Sequence, residues 1–413
     1  MEKENGRLQT PYYFIREKEL QYDVDLLKNA LEDNWGNYIC SYSVKTNSLP
    51  WLLTYLRKQG FYAEVVSEAE YDIAVRLGYS NKEIVYNSPY KHRKAWEKVL
   101  LEEGYVNLDS SYELDWMKEM SEHYPQREFR VGLRVNCLLD QLLPGAQTTG
   151  GKRGRFGYCY ENGVLKEAIE KLRRLPNVKV AGLHMHTSTQ TRAVEIYGAL
   201  AGMAVQIARE YALELDYVDM GGGYFGGTDD MPSYPDYFKA IGKELKKFFD
   251  PQKTKLIVEP GVSLISRASS FITGVIDVKT VPEGKFVVTD GSRVNLNPMT
   301  ARHSYPHHME YKNEQTGEMV TDAQKAAREL LPSQWICGST CMEHDKLFEV
   351  VEGPALKPGD RIVYDRAGGY TICLTPLFIH YFPAVWVEKK DGSLFQAREA
   401  WTNDEYLQKN HWE

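Results

Sequence analysis

From about residue 38 to residue 260, short β-branched runs alternate with longer stretches whose apolar residues recur every three or four positions, and this alternation constrains the fold most. The strand-like runs are residues 38–44, 62–66, 83–86, 105–108, 129–135, 178–185, 215–220 and 255–258. Between them the pattern predicts helices over 49–58, 67–77, 90–102, 163–173, 193–213 and 234–248. Eight βα units of this length specify a (β/α)₈ TIM barrel, an α/β fold with its chemistry at the C-terminal ends of the strands. From about residue 265 the pattern changes to strands without long helices between them, over 269–278, 285–289, 347–351, 361–364 and 377–387. The expected organisation is an N-terminal segment 1–35 that lends a strand at 11–15 to the β domain, a barrel over 36–264, and a C-terminal all-β domain, barrel or sandwich, over 265–413. A chain of 413 residues is long enough for two cores.

A net charge of −7 speaks against a nucleic-acid or anionic-membrane surface, either of which needs a concentrated basic footprint. Neither a signal-peptide core nor a run of about 18 apolar residues is present, so a cytoplasmic protein is expected. The six cysteines are scattered, which suits reduced thiols better than a disulfide framework. Cys337 and Cys341 have a three-residue gap and no second pair follows, so no metal site is expected there.

The chemistry-bearing motifs fall at predicted strand ends. Lys45, in Ser-Tyr-Ser-Val-Lys-Thr-Asn (41–47), follows the first strand; Gly-Leu-His-Met-His (182–186), Met-Gly-Gly-Gly-Tyr (220–224) and Val-Glu-Pro-Gly (258–261) close the sixth, seventh and eighth. Gly-Ser-Thr-Cys (338–341) and Gly-Gly-Tyr (368–370) come later. Singly these read as a solvated lysine, a flexible loop and a buried acid. Together they read as a site for pyridoxal 5′-phosphate: a lysine can form a Schiff base with the aldehyde, glycines admit a phosphate to backbone N–H groups, and a carboxylate can hold the ring nitrogen protonated. A buried Glu259 is costly without a partner, and a protonated pyridine nitrogen is one. The alternative is a metal-dependent barrel hydrolase using His184, His186 and Glu259. Against it, strand one ends in a lysine and strand seven in glycines, where such an enzyme needs further ligands.

The ordered set, from Tyr42 to Phe378, resembles the alanine-racemase-like fold III pyridoxal enzymes, in particular the ornithine, diaminopimelate and carboxynorspermidine decarboxylases. The resemblance implies that Lys45 carries the Schiff base, His186 stacks on the cofactor ring, and Thr189 with Gly221, Gly222 and Gly223 holds the phosphate. By the same resemblance Glu259 pairs with the ring nitrogen, Gly261 belongs to the cofactor site and Tyr370 completes it. Cys341 would come from the partner subunit of a head-to-tail homodimer with two shared sites, serving as proton donor. Asp345 matches an acid that bridges to a base on the other subunit, here Arg155 of Arg-Phe-Gly. The implied activity is removal of the α-carboxylate of an amino acid or amino-acid conjugate. Racemization on the same scaffold is the rival reading.

The chain departs from the diaminopimelate branch where the far end of the substrate is met. Val262 follows Glu-Pro-Gly where an arginine is usual, the Arg-Pro-x-x-Tyr motif reads Asn297-Pro298-Met299-Thr300-Ala301, and Met342 replaces the acid after the cysteine. Arg293, Arg302 and His303 lie close by; Arg302, Met342, Glu343 and Tyr370 are the substrate-contact candidates. A substrate other than meso-diaminopimelate is expected, with a true diaminopimelate decarboxylase as the alternative.

Overall fold

A computed structural model describes residues 8–412 apart from 142, 147, 149–151, 190, 229–230, 300–304 and 322–327. The chain divides into two compact units, residues 22–264 and residues 1–21 with 265–413, the division falling inside the helix Glu17–Asn34. Residues 22–35 therefore go with the barrel.

The first unit is a closed parallel barrel of eight strands: Tyr38–Ser43, Tyr62–Val65, Ile84–Tyr86, Tyr105–Leu108, Phe129–Asn136, Val178–His184, Tyr217–Asp219 and Lys255–Val258. Each strand pairs with the next, and the last closes on the first through Leu256↔Tyr38, Ile257↔Ile39 and Val258↔Cys40. The expected strands are all present within one or two residues at each end. Beyond the expected helices, Ser111–His123 follows the fourth strand. Helix starts are set by capping residues placed just past strand ends. Ser67 accepts the Glu70 N–H at 3.2 Å, and Glu113 accepts the Asp109 and Ser110 N–H groups at 2.8 and 3.1 Å.

Side chains alternate along each strand, so every second residue fills the barrel interior. Towards the N-terminal end that filling is apolar: Ile39, Val85, Ala181, Tyr217 and Ile257 pack together, with Tyr62 and Tyr105 against them. Gly132 and Gly182 make room for Tyr217, since a Cβ on Gly132 would lie 2.3 Å from its hydroxyl oxygen and one on Gly182 2.2 Å from its ring. Towards the C-terminal end the filling turns polar, with Ser43, Glu64, Asn87, Asn107, His184, Asp219 and Glu259 all buried.

The second unit is a mostly antiparallel β domain. Its long strand Ser269–Val281 pairs with Tyr12–Arg16 and Arg361–Asp365 along its first half and with Gly284–Thr289 along its second, a β-bulge at Val275/Asp277 dividing the two. Leu330–Cys337 adds to Gly284–Thr289 in parallel, Lys346–Pro354 pairs antiparallel with it, and His307–Lys312 borders Arg361–Asp365. Ala384–Glu388 lies parallel to Tyr12–Arg16 and forms a hairpin with Leu394–Arg398.

Three of these strands lack a clear sequence signal. Pro332 interrupts 330–337 and is skipped in the register between Leu331↔Gly353 and Ser333↔Val351. His307–Lys312 has no β-branched residue, and Leu394–Arg398 is a half-exposed edge strand. Conversely, the expected strand 377–387 contracts to Ala384–Glu388, because Ile379 takes a positive φ of 67° and residues 377–380 are exposed. Among the described residues no helix is long and apolar enough to cross a membrane.

Candidate active site

Lys45 sits in a single 3₁₀ turn, Val44–Thr46, directly after the first barrel strand. Its Nζ lies 2.7 Å from Oε2 of Glu64, a residue of the second strand that is 1 % exposed. The same oxygen accepts the Ser43 hydroxyl at 2.6 Å, and Asn87 donates to Oε1 at 3.2 Å. The turn is locked to the eighth strand by the Ser43 N–H on the Pro260 carbonyl at 3.1 Å. Gly261 is required there, because a Cβ would stand 2.2 Å from Thr46 Oγ1. Glu70, whose Oε2 accepts the Val66 N–H, is raised to about 7 by burial.

Asn87 also donates to Glu259 Oε1 at 2.5 Å, while Asn107 donates to Asn87 at 2.9 Å and to Asp219 Oδ2 at 3.0 Å. Tyr217 OH donates to Asn107 at 2.9 Å, tying this layer to the apolar filling beneath it. Burial alone would raise the Glu259 carboxyl, but His184, then Lys45 and His186, outweigh it and hold the group well below the usual carboxylate range. Asp219 moves the other way, since burial and the Glu259 charge push its carboxyl far up. Of the two carboxyls, Glu259 is the one the site favours in its charged form.

His186 follows the sixth strand, its ring nearly parallel to that of His184 at 10° and 6.1 Å between centroids. Burial and the neighbouring Arg134 guanidinium push it down to about 3, so it presents a neutral, flat imidazole near pH 7. The Gly222 N–H points at its Nδ1 at 3.4 Å. The glycine run passes between His186 and Glu259. A Cβ at Gly221, whose φ is +64°, would meet the His186 ring at 2.6 Å, and one at Gly222 would meet the Glu259 carbonyl at 2.1 Å. Thr189 is half-buried three residues beyond His186.

These features fit pyridoxal phosphate: a lysine at the mouth, a flat neutral imidazole, a side-chain-free cradle, and a buried carboxylate with a retained negative charge. His184, Asp219 and Glu259 also offer ligand atoms within 4.8 Å of one another, a spacing a metal would accept. Against that, Asn87 already occupies Glu259, and Gly221 N–H and Asn107 occupy Asp219.

The remaining expected residues lie in the β unit. Cys341 is exposed, Met342 half-buried, Glu343 exposed and Tyr370 half-buried with a φ of 58°. Arg302 falls outside the described residues. Asp345, expected at the acidic end of a subunit bridge, has contacts within its own chain. Asp345 is 3 % exposed and accepts Ser292 Oγ at 3.0 Å, the Arg293 N–H at 2.8 Å, the Thr340 N–H at 3.1 Å and Thr340 Oγ1 at 2.6 Å. Three of these donors fall on Oδ2 and one on Oδ1, so Asp345 ties the Cys341 loop to residues 292–293 within its own chain. Arg155, in the barrel unit, stacks its guanidinium over Phe156 at 4.2 Å.

Sequence reasoning missed Glu64, Asn87, Asn107, Asp219 and Arg134. Arg134 pairs with Asp109 at 3.3 Å beside His186 and lies over Phe156 at 4.5 Å. The available signal was a polar residue near the C-terminal end of an otherwise apolar parallel strand.

Comparison with known proteins agrees. Residues 21–266 match the family described as pyridoxal-dependent decarboxylase, pyridoxal binding domain. The chain is similar to a probable chloroplastic diaminopimelate decarboxylase of Oryza sativa subsp. japonica, at 28% identity over 96% of this chain and 79% of the relative. An L-glutamyl-(BtrI acyl-carrier protein) decarboxylase of Niallia circulans is 26% identical over 97% of this chain and 94% of its own. In fold it resembles the crystal structure of diaminopimelate decarboxylase from M. jannaschii, with a TM-score of 0.82 at 24% identity, covering 98% of this chain and 93% of that one. The barrel-hydrolase alternative gains no support from these relatives. The family match spans more than half of the chain, and the protein belongs to the pyridoxal-dependent decarboxylases, enzymes of the alanine-racemase-like fold III class.

Proposed function

We propose that this decarboxylase acts on an amino acid or amino-acid conjugate other than meso-diaminopimelate, as a cytoplasmic homodimer with shared sites. The observation that carries the site assignment is the pairing of strands one and eight, which brings Lys45 and a charged, buried Glu259 to the same end of the barrel. Bound pyridoxal phosphate supplies an electron sink for the pair released when the α-carboxylate leaves. Lys45 would hold the cofactor through its aldehyde, and Glu64 holds the Lys45 ammonium at 2.7 Å. Glu259 keeps a proton on the ring nitrogen. His186 covers one ring face without adding charge, and Thr189 with Gly221–Gly223 receives the phosphate. Cys341 of the partner subunit returns a proton to Cα, and Tyr370 completes the site.

The substrate reading rests on Val262, Asn297 and Met342, which stand where the diaminopimelate branch has charged or polar groups. The similarity to a decarboxylase of a carrier-protein-bound glutamyl group favours a conjugate. Purified protein should absorb in the visible region and release carbon dioxide from a suitable conjugate, and Lys45→Ala should abolish both. A borohydride-reducible adduct persisting in Lys45→Ala would rule Lys45 out as anchor. Mixing Lys45→Ala with Cys341→Ala should restore activity through one intact site per mixed dimer; failure despite subunit exchange would mean that each chain builds its own site.

A further inference from the structure

Glu259 is held from three sides, and one of those contacts has no role in the reading above. His184 is 1 % exposed, at the end of the sixth strand, and its Nε2 lies 3.5 Å from Glu259 Oε2. Neither ring nitrogen of His184 has a hydrogen-bond partner, and the Glu259 carboxylate is within ion-pair distance of Nε2. The opposite oxygen, Oε1, takes the Asn87 amide. Asp219, within 4.8 Å of both, is fixed by the Gly221 N–H at 2.9 Å and by Asn107 at 3.0 Å. A buried imidazole without a hydrogen-bond partner is costly, and a buried carboxylate 3.5 Å away is the group that offsets the cost.

We propose that His184 is a positioning residue that acts through Glu259 on the cofactor's ring nitrogen, fixing which oxygen faces that nitrogen and keeping the carboxylate charged. The geometry carries the assignment. With the Asn87 amide bonded to Oε1 and the His184 ring 3.5 Å from Oε2, each carboxylate oxygen has a fixed neighbour that opposes rotation about the last bond. Asp219, fixed by the Gly221 N–H and Asn107, supplies a third wall. His184 touches neither substrate nor cofactor in this scheme; His186, two residues on and on the same strand face, meets the ring instead. The same pair of histidines thus divides between the ring face and the ring nitrogen's partner.

The inference rests on the assignment of Glu259 to the ring nitrogen, and the test separates the two. Apoprotein is titrated with pyridoxal phosphate and with its 1-deaza analogue, which keeps the aldehyde and phosphate but lacks the ring nitrogen; binding is read from protein fluorescence. His184→Phe should weaken pyridoxal phosphate binding at least tenfold and change binding of the deaza analogue less than threefold. His184→Gln, which can place an N–H near the Nε2 position, should recover most of the loss and guards against misfolding of the Phe variant. In a Glu259→Gln background, His184→Phe should add nothing further to the ring-nitrogen preference. Equal losses for both cofactors, or no loss in either variant, would overturn the proposal and leave His184 as packing. Stoichiometric zinc in the purified protein would overturn it in favour of a metal role. Wild-type protein that binds the two cofactors equally well would sink the Glu259 assignment itself, and this inference with it.

Discussion

Glu64 receives the Lys45 ammonium at 2.7 Å while it also accepts Ser43 and Asn87, so one buried carboxylate on strand two collects donors from strand one, strand three and the catalytic turn. Replacing it with alanine leaves three donors without their acceptor. An unmade buried hydrogen bond costs roughly 1–3 kcal/mol, and partial hydration through the exposed Lys45 trims the total. Glu64→Ala should therefore lose about 2–4 kcal/mol in urea unfolding. Glu64→Gln should lose less, because the amide oxygen still accepts. A change below about 0.5 kcal/mol in both would mean that the network is not formed in solution.

His186 gives a pH prediction with a definite sign. Its folded pKa is depressed to about 3 by burial and by Arg134, below the roughly 6.5 of an unfolded histidine. Between those values the unfolded chain binds the extra proton. The contribution is complete above pH 6.5 and is lost as pH falls towards 3, by at most about 1.4 kcal/mol per unit. Wild-type stability should thus fall more steeply on acidification than that of His186→Phe. The comparison must be made between variants, because Glu70, raised to about 7, contributes an opposite slope in the same window. Parallel pH profiles for the two proteins would show that His186 is solvated and ordinary.

The barrel was legible in the sequence because each parallel strand is a short apolar run and each helix a periodic one, with capping serines between them. Lys45, His186, the glycines and Glu259 were legible because they sit next to strand ends. The polar layer behind them was not. Asn87 reads as a turn residue and Glu64 as a surface acid until the barrel closes and turns both inward. The β domain was less readable for a related reason: Pro332 and the half-exposed 307–312 segment weaken the period-2 signal that strand recognition needs. The four own-chain donors of Asp345 are likewise visible only in three dimensions.

Asp345 should then matter to the loop that carries Cys341. Asp345→Ala strands the Arg293 and Thr340 N–H groups and two hydroxyls, and hydrogen bonds to a charged acceptor contribute about 1.5–3 kcal/mol each when isolated. The loss should be about 2–4 kcal/mol in total, with faster amide exchange at 338–341 and at 291–293. Cys341 should also react faster with a thiol reagent in the variant. Unchanged exchange in both segments would refute the clamp.

Substrate choice is the most exposed part of the reading. Diaminopimelate carries a second amino-acid head, whose ammonium and carboxylate need buried counter-charges. Met342 offers an apolar side chain where an acid would meet the ammonium, and Val262 and Asn297 stand where arginines are usual. A charged group left without its partner costs more than the roughly 1–3 kcal/mol of a neutral one, and a site built for different polar groups discriminates by about 10⁴ in catalytic efficiency. Both meso-diaminopimelate and ornithine should therefore be poor substrates, each lacking a counter-charge for its distal ammonium. Met342→Glu should improve turnover of such substrates by restoring that charge, with the gain in kcat/KM absent for substrates that lack a distal ammonium. Efficient turnover of meso-diaminopimelate by the unmodified protein would defeat this argument, and it would direct attention to Arg293, whose guanidinium already reaches the His344 carbonyl at 3.5 Å beside Met342.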